Sequence, residues 1–480
     1  MSDTLVQVGV FVIATALTGL LTWLICRAPP ARTGDGAKDY FLAGGGLSWI
    51  YIAGSITLTN LSTDQLVGMN GNQMLLLAWW ELSAVAGLFI LAYVFLPLYY
   101  KYKCTTTTEL LQHKLGGSGL RMLIAILFLL GGLFIYLPIM LYTGALLLQT
   151  MFSVSLPLIV IAAALAVVGA AYAVFGGLRA VAVSDTISGV GVLGLSLLIV
   201  FLALQAINFD LSGIPPERLN MIGGDNSPIP WHTLFTGMIF IQIFYWSFNQ
   251  TITQRAMAAP SLAEARRGVL AAAGIRLLVV PLIVVVPGVV AYQMFGDVND
   301  AAYGLIVAEV LPPWLSGLFA AMMAAAVLTS FNSALNSGAA LYVCDIHPRL
   351  FGARQDVAKL ATFITLTFTA LAVFLVPVYA QAESIINLVQ QLNGLLSMPI
   401  LSAFFVAIFF RNVSPVAVAI SVVTGTVSYG AASIFFTEVH YIHQMAVTLF
   451  SCVALSLALN AIVFRRHATL SFEDFNGKSV

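Results

Sequence analysis

Long apolar runs alternate with short polar punctuation along the whole chain. Thirteen of them can cross the ~30 Å hydrocarbon core of a bilayer. They fall at 5–26, 47–69, 75–99, 121–151, 156–175, 182–206, 231–253, 268–296, 303–345, 358–378, 384–410, 413–436 and 442–464. The pattern predicts an all-α polytopic membrane protein with about 13 transmembrane helices. The run at 303–345 exceeds one crossing, so its helix is expected to start in an outer loop and to end beyond the inner face.

The second run departs from the rest. From Ser55 to Asn70 it reads Ser-Ile-Thr-Leu-Thr-Asn-Leu-Ser-Thr-Asp-Gln-Leu-Val-Gly-Met-Asn, with hydroxyls, amides and the Asp64 carboxylate where lipid offers no partner. Two readings are open. One is a helix–helix contact held by small and polar side chains. The other is a half-unwound helix lining a wet cavity, with free carbonyls for a cation and N–H groups for a polar solute.

Composition agrees with the runs. The 480 residues are 60% hydrophobic and 8% charged, against about a quarter charged in soluble domains. The formal net charge is zero, which speaks against nucleic acid and anionic partners. Cys26, Cys104, Cys344 and Cys452 lack metal-type spacing and read as unpaired thiols. No charged segment precedes the first apolar run, which reads as a retained helix rather than a cleaved signal.

Lysine and arginine orient the chain. If loops after odd-numbered runs are cytoplasmic, they hold 18 of the 20 basic residues, leaving Arg218 outside and Arg276 within a span. The N-terminus is then outside and the C-terminus cytoplasmic. The longest loop, 207–230, is rich in Pro and Gly and reads as an outer lid or connector, while Gly44-Gly45-Gly46 and Gly176-Gly177 read as tight inner turns.

Several spans carry chemistry. Glu81 and Arg276 are charges set deep in spans, each costing roughly 2.5–3.5 kcal/mol unpartnered. They read either as a structural ion pair or as paired hydrogen-bonding groups for a polyhydroxylated solute. Gln242-Ile243-Phe244-Tyr245-Trp246-Ser247-Phe248-Asn249-Gln250 interleaves rings and amides, as a sugar site needs, although Phe244 and Phe248 read as packing. Thr329 and Ser330 can complete an oxygen cage for a hard monovalent cation; Ca²⁺ would require carboxylates that are absent there. The other reading has both hydroxyls bonding their own helix. Asn387, Gln390, Gln391 and Asn393 cluster in one span, and Asp185 stands near the inner end of another, to guide a departing cation or to cap a helix. His440 and His443 share a helix face on an outer loop without a nearby Cys, a poor metal site.

Five segments together resemble the sodium/solute symporter family, most closely its sodium/glucose (galactose) branch. These are Asp39–Gly44, Asn60–Gln65, Tyr172–Leu178, Asn249-Gln250 with Gln254-Arg255, and Leu335-Asn336-Ser337 with Asp345-Ile346, within a similarity covering roughly 38–410. The resemblance implies a leucine-transporter-like core of two inverted five-span repeats with broken helices at spans two and seven. The expected division is 1–46 for an extra N-terminal helix and inner loop, 47–206 for the first repeat and 207–230 for the outer loop. The second repeat is 231–410, and two further helices with a short tail occupy 411–480. Na⁺, the coupling ion, is expected at the carbonyls of Leu58, Leu61 and Ala326 and the hydroxyls of Thr329 and Ser330. The solute is expected at Gln65, Glu81, Gln242, Tyr245, Arg276 and Gln390, with Tyr245 as inner gate and Met69 with Trp80 closing the outer side. Asp185 falls on the ion exit path. Gln242, Arg276 and Trp80 depart from the sugar pattern, which has Asn, Lys and Tyr there.

The reading is therefore a sodium-coupled symporter of the cytoplasmic (in bacteria, inner) membrane. It imports a monosaccharide, a hexose such as galactose or glucose, by alternating access. Its partners are the sugar, Na⁺ and membrane lipid, with no nucleic acid, no organic cofactor and no enzymatic reaction. The rivals are a sodium symporter for a carboxylate, acidic sugar or amino acid, and an uncoupled sugar uniporter. A sensor is disfavoured because no kinase-like or DNA-binding segment follows Arg466, and an intramembrane enzyme because no catalytic dyad or nucleophile motif occurs in the spans.

Overall fold

The computed structural model describes residues 3–27, 36–152, 154–352, 356–382, 385–436 and 438–472, with backbone alone at 36–37 and 172–177. Of the basic residues placed on the inner side, Arg32, Arg354 and Lys478 lie outside this description. So do the side chains of the motif at 172–177.

The described chain is helical apart from connecting turns, an isolated bridge between Gly223 and Pro230, and one short antiparallel pairing, β1 (Phe410–Arg411) with β2 (Thr469–Leu470). Ten of the described helices are long and apolar enough to cross a membrane, and Leu158–Ala171 and Gly237–Ser247 are shorter apolar helices. The basic loops gather at one end of the bundle. Arg121 bridges Glu109 and the buried Asp345, and Arg349 donates to Ser118 at 2.5 Å. At the opposite end Arg218, from the 207–230 loop, holds Asp297 at 3.1 Å and donates to the carbonyls of Asn72 and Gln73. That loop is thus tied down across the bundle's other mouth.

The backbone is helical from Leu158 to Ala206, but it does not follow one straight axis. Gly169 packs on Leu328 and Phe331, and Gly191 packs on Met322. Those contacts lie 22 residues apart on one chain, about 33 Å of straight helix, but only about 14 Å apart on their shared neighbour, Pro313–Leu341. Thr186 and Gly189 meet Gly54 and Leu58, so the second arm runs alongside Trp49–Asn60. Both arms therefore lie along Pro313–Leu341 rather than on one straight axis.

Prolines shape the spans. Three π-turns, Leu91–Phe95, Gly132–Tyr136 and Tyr342–Ile346, each end two residues before a proline: Pro97, Pro138 and Pro348. Proline lacks the N–H that would bond the carbonyl four residues back, and its ring crowds that carbonyl. Two of the released carbonyls find other donors, Phe134 from the Tyr379 hydroxyl and Cys344 from Arg121 at 3.2 Å. Pro287 likewise releases the carbonyl of Ile283. Asn70 spans the gap, donating to Ile283 at 3.2 Å and accepting from the Gly288 N–H at 2.7 Å.

The run at 303–345 corrects the sequence expectation of one continuous long helix. It divides into Ala302–Val310 and Pro313–Leu341. Back-to-back prolines account for this, since a residue before proline is excluded from helical backbone and Pro312 itself takes ψ 154°.

Candidate transport site

The polar stretch at 55–70 is a broken helix. Trp49–Asn60 ends where Leu61 adopts ψ 69° and Ser62 is extended (ψ −178°), and Thr63–Gly71 begins immediately after. The Ser62 N–H turns to Asn60 O at 2.9 Å, which releases the carbonyl of Leu58. A second break divides Gly237–Ser247 from Gln250–Met257 at Phe248 and Asn249, where Asn249 Oδ1 accepts from the Thr251 N–H at 3.0 Å.

Between the two breaks lies a cavity of about 600 Å³. Gln65, Met69, Trp80, Glu81, Gln242, Tyr245 and Gln390 line it, with Asn60, Asp64, Tyr136, Trp246 and Asn393. Seven of the eight solute and gate residues expected from the sequence are thus brought together; the eighth is Arg276. Arg276 stands behind the lining. Its guanidinium is fully buried, paired with Glu81, 3.4 Å from Thr57 O and over the Trp246 ring at 4.4 Å. Glu81 also accepts from the Gln65 amide, so Arg276, Glu81 and Gln65 form one chain ending at the cavity. The Gln242 amide is committed too: it donates to Trp80 O at 2.8 Å and Ser83 at 2.9 Å and accepts from Trp246 at 3.0 Å.

A second cavity, of about 830 Å³, lies toward the basic end, lined by Phe244, Asn249, Thr251, Ser337 and Ile400 among others. Tyr136, Tyr245 and Asn393 line both cavities, so these three side chains form the partition. Two hydrogen bonds close it: Asn60 to the Tyr245 hydroxyl at 2.9 Å, and the Tyr136 hydroxyl to Asn393 Oδ1 at 2.7 Å.

On the other side of the first break, Leu58, Leu61, Ala326, Thr329 and Ser330 are all buried. Ser330 donates to the carbonyls of Leu58 at 3.3 Å and Thr59 at 3.4 Å, which joins Pro313–Leu341 to the break. Thr329 bonds Ala326 O at 3.2 Å within its own helix. Asp185 is fully buried beside this group and caps no helix. It accepts from Ser55 at 2.6 Å, and Ser55 accepts from Arg255 at 2.7 Å, while Arg255 also reaches Ser333 and Thr251 O.

The remaining motif residues tie elements together. Gln254 donates to Phe41 O at 2.6 Å and accepts from Ser337 at 2.9 Å, and Gln250 accepts from the Thr107 N–H at 2.8 Å. Gly44 and Gly45 make a tight turn with φ of 62° and 72°. His443 meets His232 at 2.7 Å, and His232 meets Asp225 at 3.3 Å, which pins the outer loop to the helix Tyr441–Ile462.

Sequence reasoning did not assign Tyr136 to the site. Its signal is a lone hydroxyl in an apolar run, two residues before Pro138. Asn60, Asp64 and Asn393 lay in polar stretches already noted but carried no role.

Comparison with known proteins follows the same lines. Residues 40–425 match the sodium:solute symporter family. An uncharacterized symporter, YidK, of Escherichia coli K12 is 32% identical over 95% of this chain and 84% of its own length. The sodium/glucose cotransporter of Vibrio parahaemolyticus is 27% identical over 87% of this chain and 83% of its own. Rabbit (Oryctolagus cuniculus) sodium/myo-inositol cotransporter 2 is 28% identical over 79% of this chain, which spans 63% of that protein. Among solved structures, a substrate-bound, outward-open Na⁺-coupled sialic acid symporter aligns with a TM-score of 0.79 at 18% identity, covering 95% of this chain and 98% of the other. MhsT in complex with L-phenylalanine aligns at 0.53 and 13% identity, over 86% and 98%. These likenesses give the leucine-transporter-like fold.

Proposed function

Because the chain belongs to the sodium:solute symporter family and is a sodium-coupled transporter rather than an enzyme, we propose that its solute is a neutral monosaccharide, a hexose such as galactose or glucose, or a ring polyol of that size. One observation carries this reading: Gln65, Gln242 and Gln390 line the cavity at the first helix break beside the rings of Trp80, Tyr245 and Trp246. Rings cover the apolar faces of a pyranose, and amides and carboxylates read its hydroxyls.

In this reading Na⁺ binds where Leu58 and Leu61 carbonyls meet Ala326, Thr329 and Ser330, five neutral oxygens suited to a hard monovalent cation. The same unwound segment carries the cation on one side and the solute on the other, so each ligand stabilises the arrangement the other needs. Met69 and Trp80 close the outer mouth, Tyr245 the inner one, and Asp185 lies on the path the ion takes inward. The membrane orientation that goes with it puts the basic end in the cytoplasm.

Uptake of radiolabelled galactose, glucose and myo-inositol into proteoliposomes, with and without an inward Na⁺ gradient, tests it. Uptake of at least one of them that needs the gradient is expected. Uptake indifferent to Na⁺ identifies an uncoupled uniporter, and no uptake of any of the three sinks the solute assignment.

A further inference from the structure

Three buried acceptor oxygens in the cavity wall have no hydrogen-bond partner within the protein: Asn60 Oδ1, Asp64 Oδ1 and Gln65 Oε1. All three residues line the solute cavity, and all three lie within six residues of each other across the helix break. The acceptor edge of Gln65 is turned inward, because its amide nitrogen donates to Glu81, which is paired with Arg276. Asn60 is turned the same way by its bond to Tyr245. The third oxygen, Asp64 Oδ1, belongs to a carboxyl that lines the same face.

We propose that Asp64 is the residue that reads the solute's hydrogen-bond donors, and that with Asn60 and Gln65 it makes this face of the cavity select neutral polyols and reject carboxylates. The proposal rests on the solute class given above.

Leaving a buried acceptor unpaired is expensive, so a ligand that displaces water from the cavity has to supply donors to this face. A hydroxyl does, and can accept in turn from the amide of Gln390 or Asn393 on the facing helix, Ile385–Phe409. A carboxylate cannot. It would set acceptor against acceptor, and Arg276, behind the wall, is paired with Glu81 and absent from the lining.

The test is competition against the best transported of galactose, glucose and myo-inositol, using single-deoxy analogues of that compound and glucuronate. Wild type, Asp64→Asn and Asp64→Ala are compared in proteoliposomes. In wild type, loss of one particular hydroxyl is expected to weaken competition about 10- to 100-fold, the range for a hydrogen bond to a charged group, and glucuronate is expected not to compete. In Asp64→Ala that deoxy analogue should compete within about twofold of its parent. Asp64→Asn should fall between and admit glucuronate, with the Na⁺ dependence of uptake kept. A merely structural Asp64 would lower activity and leave the deoxy pattern as in wild type, which overturns the proposal, as does glucuronate competing equally in wild type. Failure of wild type to transport any of the three parent compounds instead overturns the functional reading beneath it.

Discussion

Glu81 and Arg276, 195 residues apart in sequence, form an ion pair from which solvent is excluded on both sides, with side-chain exposures of 2% and 0%. Such a pair is held more by the cost of breaking it than by its net strength. Removing one partner strands a buried charge, at about 3–5 kcal/mol, whereas replacing both with apolar groups of similar volume is often neutral. Glu81→Gln should therefore lower the melting temperature in detergent and abolish uptake. The double variant Glu81→Leu/Arg276→Met should recover the melting temperature and still fail to transport, because Gln65 then loses the partner that turns its acceptor edge to the cavity. A double variant as unstable as the single one would show that the pair has a net structural value of its own.

At the other side of the break, the Ser330 hydroxyl already bonds the carbonyls of Leu58 and Thr59. If the same oxygens hold Na⁺, Ser330→Ala and Thr329→Val should each raise the Na⁺ concentration for half-maximal uptake, about 10-fold or more for one lost oxygen ligand. Thr329→Ser keeps the hydroxyl and should stay near wild type. Linkage adds a second readout: at subsaturating Na⁺ the apparent solute affinity must fall in the same variants, and at saturating Na⁺ it must recover. Flow dialysis of ²²Na⁺ and initial-rate uptake measure the two sides. Unchanged Na⁺ dependence in both Ser330→Ala and Thr329→Val would remove the cation from this place.

Much of this architecture is legible in one sequence because lipid enforces it. Each crossing needs some twenty apolar residues, so spans announce themselves, and a polar stretch within one, as at 55–70, announces a break. Charges at Glu81 and Arg276 stand out for the same reason. What could not be read is which of them faces the cavity, since that depends on how distant helices rotate against each other. Tyr136 escaped because one hydroxyl in an apolar run weighs little against thirteen spans, although Pro138 marked the π-turn that aims it. The division of 303–345 was visible in Pro312-Pro313 and was outweighed by the length of the apolar run. Strands of two residues, as in Phe410–Arg411 with Thr469–Leu470, leave no periodicity at all.

The partition between the two cavities makes a separate prediction. Tyr136→Phe removes the hydroxyl bonded to Asn393 and leaves the ring. One such bond contributes about 0.5–1.5 kcal/mol, so the inner barrier should open about 2- to 10-fold more often. Efflux of preloaded solute into Na⁺-free buffer should quicken by that factor, while the Na⁺ concentration for half-maximal uptake stays unchanged. Tyr245→Phe, which loses the bond to Asn60, should act in the same direction. Efflux no faster than wild type in either variant would mean that the partition is held by packing alone.

The opposite mouth is held by a carboxylate that titrates. Asp300, in the turn before Ala302–Val310, accepts the N–H of Ile385 at 3.1 Å, the first residue of Ile385–Phe409, and packs against Gly71 at the end of Thr63–Gly71. It thus clasps the two helices that carry Gln65 and Gln390. Burial pushes its carboxyl up to about 6, while in an open, solvated mouth it would return to the ordinary ~3.9. The closed form therefore binds more protons than the open one between about pH 4 and 6, and closure weakens as pH rises through that window and is level above it. Going from pH 7.5 to pH 5 should favour closure about 10-fold. A Met69→Cys variant, with Cys26, Cys104, Cys344 and Cys452 replaced by Ser, reports this through its labelling rate by an external thiol reagent. The thiol's own titration affects every background alike, so the ratio to an Asp300→Asn background is the readout. That ratio should fall about 10-fold on acidification. A ratio constant from pH 7.5 to 5 would mean that Asp300 does not move between buried and solvated positions when the mouth opens.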